Sequence, residues 1–173
     1  KYNHFVGSLS SLKGLNDLEE LHISNTDINE VNVEELPKSL KVSRIHCSAE
    51  ERSESSIKNI QEELCSYLTK KRLNEMYSDK SATKLTNLYS EGLKGHLDLS
   101  EYKDLEILDF HNNQLTSVDI SKNAKLKKLN CSNNKLKEIN LLNNINLEEL
   151  NCCNNELTDL DSSKNNQIKK IYC

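Results

Sequence analysis

A spacing of 21 residues runs through the second half of this chain and constrains its fold more than any other feature. Apolar residues recur at three slots of each 21-residue segment, and an asparagine recurs at a fourth. One such segment cannot bury its apolar side alone, but stacked copies bury a continuous core. The recurring positions are Leu105, Leu126, Leu147 and Ile168; Leu108, Leu129, Leu150 and Ile171; Phe110, Cys131, Cys152 and Cys173; and Asn113, Asn134 and Asn155. The period predicts a stacked repeat array.

The segments LEILDFHNNQL, LKKLNCSNNKL and LEELNCCNNEL each fit the pattern L-x-x-L-x-L/F/C-x-x-N-x-L. This pattern resembles the leucine-rich repeat family, and among its members the Asn- and Cys-rich 21-residue repeats of microbial and fungal proteins. The resemblance implies an α/β solenoid, with a curved parallel β-sheet on the concave face and turns or short helices on the convex face. Apolar and polar residues alternate within LDF and LNC, which independently indicates a half-buried strand in each repeat.

Composition and charge narrow the classes of function. The chain has 173 residues with 27 leucines and 23 asparagines, a formal net charge of −4 and no long basic run. No apolar run approaches the roughly 18–20 residues of a membrane-spanning helix. Binding to nucleic acid needs a concentrated basic surface. We therefore expect neither a membrane span nor a nucleic-acid partner.

The sequence divides into three parts. Residues 1–52 form an irregular N-terminal repeat block, in which Leu18–Ile28 fits the pattern with Thr26 in the asparagine slot and Val42, Ile45 and Cys47 mark a further degenerate unit. Residues 53–84 are predicted to be a helical insert, because apolar residues recur there at a broadly helical period and 48–51 can form a capping box. Residues 85–173 form the regular array. The chain begins and ends inside a repeat, so we expect further repeats beyond both ends.

Each asparagine pair is expected to contain one buried and one exposed residue. An inward asparagine offers two donors and an acceptor to the backbone of the turn that follows the strand. We assign this role to the second residue of each pair, Asn113, Asn134 and Asn155. The first residues, Asn112, Asn133 and Asn154, are expected to face solvent.

The six cysteines do not indicate a metal site or a disulfide framework. Cys131, Cys152 and Cys173 occupy an inward repeat slot, where cysteine acts as a small apolar residue. Adjacent Cys152 and Cys153 point to opposite faces of a strand and cannot share an ion. Buried reduced thiols favour a reducing compartment, so we predict a cytoplasmic protein that binds no metal and no cofactor.

No motif indicates catalysis. The chain has no G-x-S-x-G, no phosphate-binding glycine loop and no H-E-x-x-H. His46 and His111 are interpreted as strand histidines without a carboxylate placed to orient them. Asp98, Asp119 and Asp161 recur on the back of the repeat, which is typical of turn residues. We therefore expect a protein that is not an enzyme.

The remaining feature is the outward surface of the strands, whose residues vary while the Leu and Asn frame does not. These positions form three columns that we predict to be a concave binding face for a protein partner: Ile107, Lys128, Glu149 and Lys170; Asp109, Asn130, Asn151 and Tyr172; and His111, Ser132 and Cys153. By analogy with the family, we expect a scaffold or recognition segment of a larger protein. The alternative is an accessory segment of a kinase or ubiquitin-ligase subunit whose catalytic domain lies outside this chain.

Overall fold

A computed structural model describes residues 6–24, 26–40, 45–46 and 58–173, although the side chains of residues 45, 46, 58 and 59 are not described. The capping box at 48–51 and the repeat positions Val42 and Cys47 lie outside the described residues. The chain divides into two compact units, 1–68 and 69–173, and the boundary falls within a helix. The three-part division expected from the sequence stays a prediction.

The first unit contains short parallel strand pairs. Strand β1 pairs with β3, and β2 pairs with β4. Its core consists of leucines and isoleucines together with a cysteine. The elements are β1 (Val6–Ser8), β2 (Leu21–His22), β3 (Asp27–Glu30), β4 (Ile45–His46), two short 3₁₀-helices (Leu9–Leu12 and Val33–Glu35) and the first half of helix α1 (Lys58–Met76).

Thr26, in the slot that the pattern assigns to asparagine, makes one of the backbone hydrogen bonds that asparagine makes in the regular array. Its hydroxyl is buried and donates to the carbonyl oxygen of Ile23 at 2.8 Å. Asn134 makes the equivalent bond, to the carbonyl three residues before it, in the regular array. A threonine therefore supplies one donor where asparagine supplies two.

The second unit is built on a five-stranded parallel sheet in the order β11-β10-β9-β7-β5. Its strands are β5 (Lys84–Leu85), β7 (Ile107–Asp109), β9 (Lys128–Asn130), β10 (Glu149–Asn151) and β11 (Lys170–Tyr172). From β7 onward the paired residues are 21 apart, as in the pairing of Leu108 with Leu129 and of Leu129 with Leu150. The expectation of one parallel strand per repeat is confirmed.

A second parallel pair lies between these strands, formed by β6 (Lys94–Asp98) and β8 (Gln114–Asp119). From the sequence, the extra residue of this irregular repeat is expected on the Leu93–Leu99 side. The structure places it on β8 instead, because Gly95 pairs with Leu115 and His96 pairs with Ser117. The stacked leucines behind both sheets form the core of the unit.

Helix α1 falls within the segment that was expected to be helical. It begins at Lys58 and ends at Met76, and residues 53–57 lie outside the described residues. The buried residues of its first half belong to the core of the first unit, and Leu73 in its second half belongs to the core of the second unit. Within the described residues, no helix combines the length and the apolar character needed to cross a membrane.

The inward asparagines satisfy the backbone as expected. The amide of Asn134 donates to the carbonyl oxygens of Phe110, Cys131 and Ser132 at 3.1–3.2 Å, and its Oδ1 accepts from the N–H of Leu115 at 3.1 Å. Asn113 and Asn155 repeat this arrangement. One side chain thus joins three successive stretches of backbone.

A second row of buried asparagines escaped the sequence analysis. Asn123, Asn144 and Asn165 are 21 apart, and each side-chain amide donates to two backbone carbonyls of the preceding repeat. Asn123 and Asn144 are fully buried. The shared spacing was the signal that could have revealed this row.

The exposed asparagines have a structural role of their own. Asn112, Asn133 and Asn154 have φ values of 56°, 55° and 54°, in the left-handed region. Asparagine tolerates this region better than other residues with a Cβ. Their exposure was expected, whereas this backbone conformation was not.

Candidate binding face

The outward columns predicted from the sequence lie on one face of the five-stranded sheet, which we call the open face. The register aligns Ile107, Lys128, Glu149 and Lys170 in one column and Asp109, Asn130, Asn151 and Tyr172 in the next. Leu108, Leu129 and Leu150 point to the other side and are buried. The strand geometry therefore brings these side chains together on one surface.

The second column helps to shape the ends of the strands. Oδ1 of Asp109, Asn130 and Asn151 accepts the backbone N–H two residues later, at 3.2, 3.4 and 3.3 Å. A side chain that bonds the backbone two residues on is typical of an Asx turn. These residues therefore fix the turn after each strand with one oxygen and leave the rest of each side chain on the open face.

The expectation that His111 has no carboxylate to orient it is wrong. Its Nδ1 lies 2.6 Å from Oδ1 of Asp109 and 3.4 Å from Nδ2 of Asn130. Residues two apart on a strand point to the same face, which brings the imidazole and the carboxylate together. For His46, the side chain lies outside the described residues.

Tyr89 was missed by the sequence analysis and stacks on His111, with ring centroids 5.2 Å apart and planes 11° apart. It lies 22 residues before His111, so a search at a strict spacing of 21 passes over it. The backbone gives the reason for the offset. Ser90 has the same left-handed φ as Asn112, and its N–H donates to the carbonyl of His111.

The prediction that Ser132 forms part of the exposed binding face is wrong. It is only 6% exposed, and its hydroxyl donates to Oδ1 of Asn130 at 2.9 Å. Ser132 therefore holds the side chain of Asn130 instead of contributing exposed surface, while Cys153, the next residue of the same column, is partly exposed.

The charged column is largely neutralised within itself. Nζ of Lys128 lies 3.2 Å from one carboxylate oxygen of Glu149, and Nζ of Lys170 lies 3.7 Å from the other. The hydrogen bond from Lys128 lowers the pKa of the Glu149 carboxyl. The flanking column repeats the alternation in the pairs Glu106–Lys127 and Glu148–Lys169, at 2.8 and 2.7 Å.

A cavity of about 280 Å³ opens on this face. Residues of the first two columns line it, together with Leu108, Leu129 and Thr86, which the predicted face does not include. Of the predicted residues, those that line the cavity are Ile107, Asp109, Lys128, Asn130, Glu149, Asn151 and Tyr172. His111, Ser132, Cys153 and Lys170 belong to the same columns but do not line it.

The thiols of the regular array differ in burial, as the alternation of side chains between the two faces of a strand predicts. Cys131 and Cys152 are buried, and Cys153 is partly exposed. Burial raises the pKa of the Cys131 thiol, and it raises that of Cys152 to about 12. The two sulfur atoms of Cys152 and Cys173 are 3.6 Å apart.

Within the described part of the chain, no group of three or more His, Cys, Asp or Glu side chains is placed to hold a metal ion.

The aspartates on the back of the repeats are turn residues, as expected. Oδ1 of Asp98, Asp119 and Asp161 accepts the backbone N–H two residues later, each at 2.9 Å. Asp98 pairs with Asp119 in the β6–β8 sheet, outside the open face. These carboxylates therefore play no part in the candidate site.

No protein-family model matches the chain, and no curated protein matches it. Among solved structures, the chain is similar to the functional domain of InlJ from Listeria monocytogenes, which includes a cysteine ladder. The sequences are 22% identical and the TM-score is 0.46, over 92% of this chain and 30% of that one. The chain thus spans less than a third of that protein chain.

Proposed function

We propose that this chain is a non-enzymatic recognition segment, a leucine-rich-repeat solenoid interrupted by a helical insert, that binds a protein partner through the open face. The cavity on this face is the observation that carries the proposal, because most residues lining it belong to the outward columns. Ligand-binding pockets are concave and combine apolar surface with a few placed polar groups, and a partner's side chain can occupy such a pocket as a ligand does. Ile107 and Tyr172 supply the apolar surface here, and Asp109, Asn130 and Asn151 supply the polar groups.

The charges of the face support a protein rather than a nucleic acid as the partner. A phosphate backbone is bound by lysines and arginines that are available to neutralise it. Lys128 and Lys170 instead face Glu149, and the lysines of the flanking column face Glu106 and Glu148. A polar partner with mixed charge fits such a surface better than a polyanion.

The geometry also supports binding without catalysis. A serine nucleophile needs a base within hydrogen-bond reach. The Ser132 hydroxyl donates to Asn130 instead of to His111. The raised pKa of Cys131 and Cys152 keeps both thiols protonated at neutral pH, and a protonated thiol is a poor nucleophile.

We further propose that the protein works in a reducing compartment, the cytoplasm. Cys131, Cys152, Cys153 and Cys173 lie close together in the last repeats, and all four are free thiols. Free thiols in such numbers persist where glutathione keeps them reduced. Mass mapping of the protein alkylated inside its native cells should find these cysteines unpaired. Disulfides among them would argue against this compartment.

The test of the open face is a selection of phage-displayed random peptides on the full chain. The selected peptides should lose at least tenfold in affinity for Lys128→Glu and for Tyr172→Ala (about 1.4 kcal/mol). The matched controls are Lys122→Glu and Leu142→Ala, which make the same kinds of change at exposed positions outside the five-stranded sheet. Equal losses in the controls, or unchanged binding to both open-face variants, would contradict the proposal.

A further inference from the structure

Asp109 carries a charge that its turn does not require. Asn130 and Asn151 occupy the equivalent positions in the next two repeats, and each accepts the same backbone N–H with a neutral amide oxygen. The turn after β7 therefore needs one acceptor and no negative charge. The carboxylate of Asp109 is an addition specific to this repeat.

The basic group that contacts this carboxylate is the imidazole of His111, and not a lysine or an arginine. Both hydrogen bonds of Asp109 reach the same oxygen, Oδ1, and come from the backbone N–H and Nδ1 of His111. Within residues 58–173, Asp109 forms no ion pair with lysine or arginine, whereas Glu149 faces Lys128 and Lys170. An imidazole carries charge only when it is protonated. Asp109 lines the cavity, and its second carboxylate oxygen, Oδ2, accepts no hydrogen bond from the residues described in 58–173.

Apolar and aromatic side chains adjoin the Asp109–His111 pair. Ile107 is on the same face of β7 and lines the same cavity. Tyr89 stacks one side of its ring on His111 and is still 49% exposed. A carboxylate with an aliphatic neighbour and an exposed aromatic ring suits arginine. The guanidinium binds carboxylates through a planar fork and stacks on aromatic rings, and the methylene stem packs on apolar surface.

We propose that the open face binds an arginine side chain of its protein partner at Asp109, with Tyr89 and Ile107 packing against that side chain. The proposal rests on the proposed function, and it adds the chemistry of one contact. The planar cation should bind better than lysine, because lysine offers neither the fork nor the stacking plane.

The experiment is an NMR titration of the ¹⁵N-labelled full chain with the peptide acetyl-Gly-Arg-Gly-amide. Matched peptides carry citrulline, the neutral isostere, or lysine in place of arginine. We expect saturable shifts around Tyr89, Asp109 and His111 with the arginine peptide. Compared with the arginine peptide, the citrulline peptide should bind at least tenfold more weakly and the lysine peptide at least threefold more weakly. Losing a hydrogen bond to a charged group typically costs a factor of about ten or more.

Two variants locate the binding. Asp109→Asn keeps the turn, as Asn130 and Asn151 do, and should weaken the arginine peptide by about tenfold. Asp119→Asn makes the same isosteric change at a turn outside the open face and should leave binding within twofold. The ¹⁵N spectra report directly that both variants are folded.

Three results would overturn the proposal: no saturable shifts at these residues, equal binding to Asp109→Asn, or equal binding of the citrulline or lysine peptide. The proposed function is judged separately. If phage-selected peptides depend on Lys128 and Tyr172 while the arginine peptide fails, the face binds a partner without this contact. If the selected peptides are insensitive to those variants, the proposed function itself fails.

Discussion

Replacing Asn134 by alanine tests the inward asparagine row, and its cost follows from the individual hydrogen bonds. The three carbonyl oxygens that accept from Asn134 each keep another donor. Asn113 donates to Phe110, Asn155 to Cys131, and the backbone N–H of Asn112 to Ser132. The N–H of Leu115 loses the oxygen of Asn134 and is left unpaired in a buried site. An unpaired buried donor costs about 1–3 kcal/mol, and the lost second bonds add to this.

We therefore expect Asn134→Ala to lower the free energy of unfolding by about 3 kcal/mol. The neighbouring Asn133 is the control, and the structure determines which substitution is neutral there. Alanine at a φ of 55° carries a steric penalty of about 1 kcal/mol, whereas glycine carries none. Asn133→Gly should thus stay within about 0.5 kcal/mol of the parent, and Asn133→Ala should lie between the two.

The assay combines urea midpoints with amide hydrogen exchange, because a stacked array need not unfold in one step. Exchange at the N–H of Leu115 should accelerate most in Asn134→Ala and remain slow in Asn133→Gly. The reasoning would be refuted if Asn134→Ala and Asn133→Gly had the same stability. It would also be refuted if the Leu115 amide kept its protection in Asn134→Ala.

Three further predictions concern the same unit. Cys153 should react with an alkylating reagent well before Cys131, because Cys131 is buried and its raised pKa suppresses the thiolate. If mass-mapped labelling found the opposite order, the assignment of Cys131 to the inward face and Cys153 to the outward face would be wrong. Asn144→Ala should destabilise less than Asn134→Ala in denaturant titrations, since Oδ1 of Asn144 accepts no hydrogen bond that would be lost. The N–H two residues after Asp119 holds the pKa of its carboxyl below the ordinary 3.8. The resulting stabilisation is complete above that value and is lost as the pH falls through the lowered pKa. Unfolding midpoints between about pH 6 and pH 3 should therefore fall less steeply for Asp119→Asn, and identical slopes would contradict this.

The sequence by itself determined the repeat, the strands and the inward frame. Each repeat carries the same local pattern, in which apolar slots alternate with polar ones and an asparagine follows the strand. Because every copy must stack on the next, the 21-residue spacing translates directly into a strand register, and Leu108, Leu129 and Leu150 lie where that spacing places them. The direction of each outward side chain followed from the same period.

Only the tertiary structure decided what those outward side chains do. The pairing of Lys128 with Glu149 depends on rotamers at residues 21 apart, and the burial of Ser132 depends on packing that the repeat spacing does not specify. The stack of Tyr89 on His111 joins residues 22 apart, in an irregular repeat that departs from the 21-residue period. Spacing identifies the face on which a side chain lies. Hydrogen bonds and charge pairs on that face arise between neighbouring strands, and they are settled only when those strands are packed side by side.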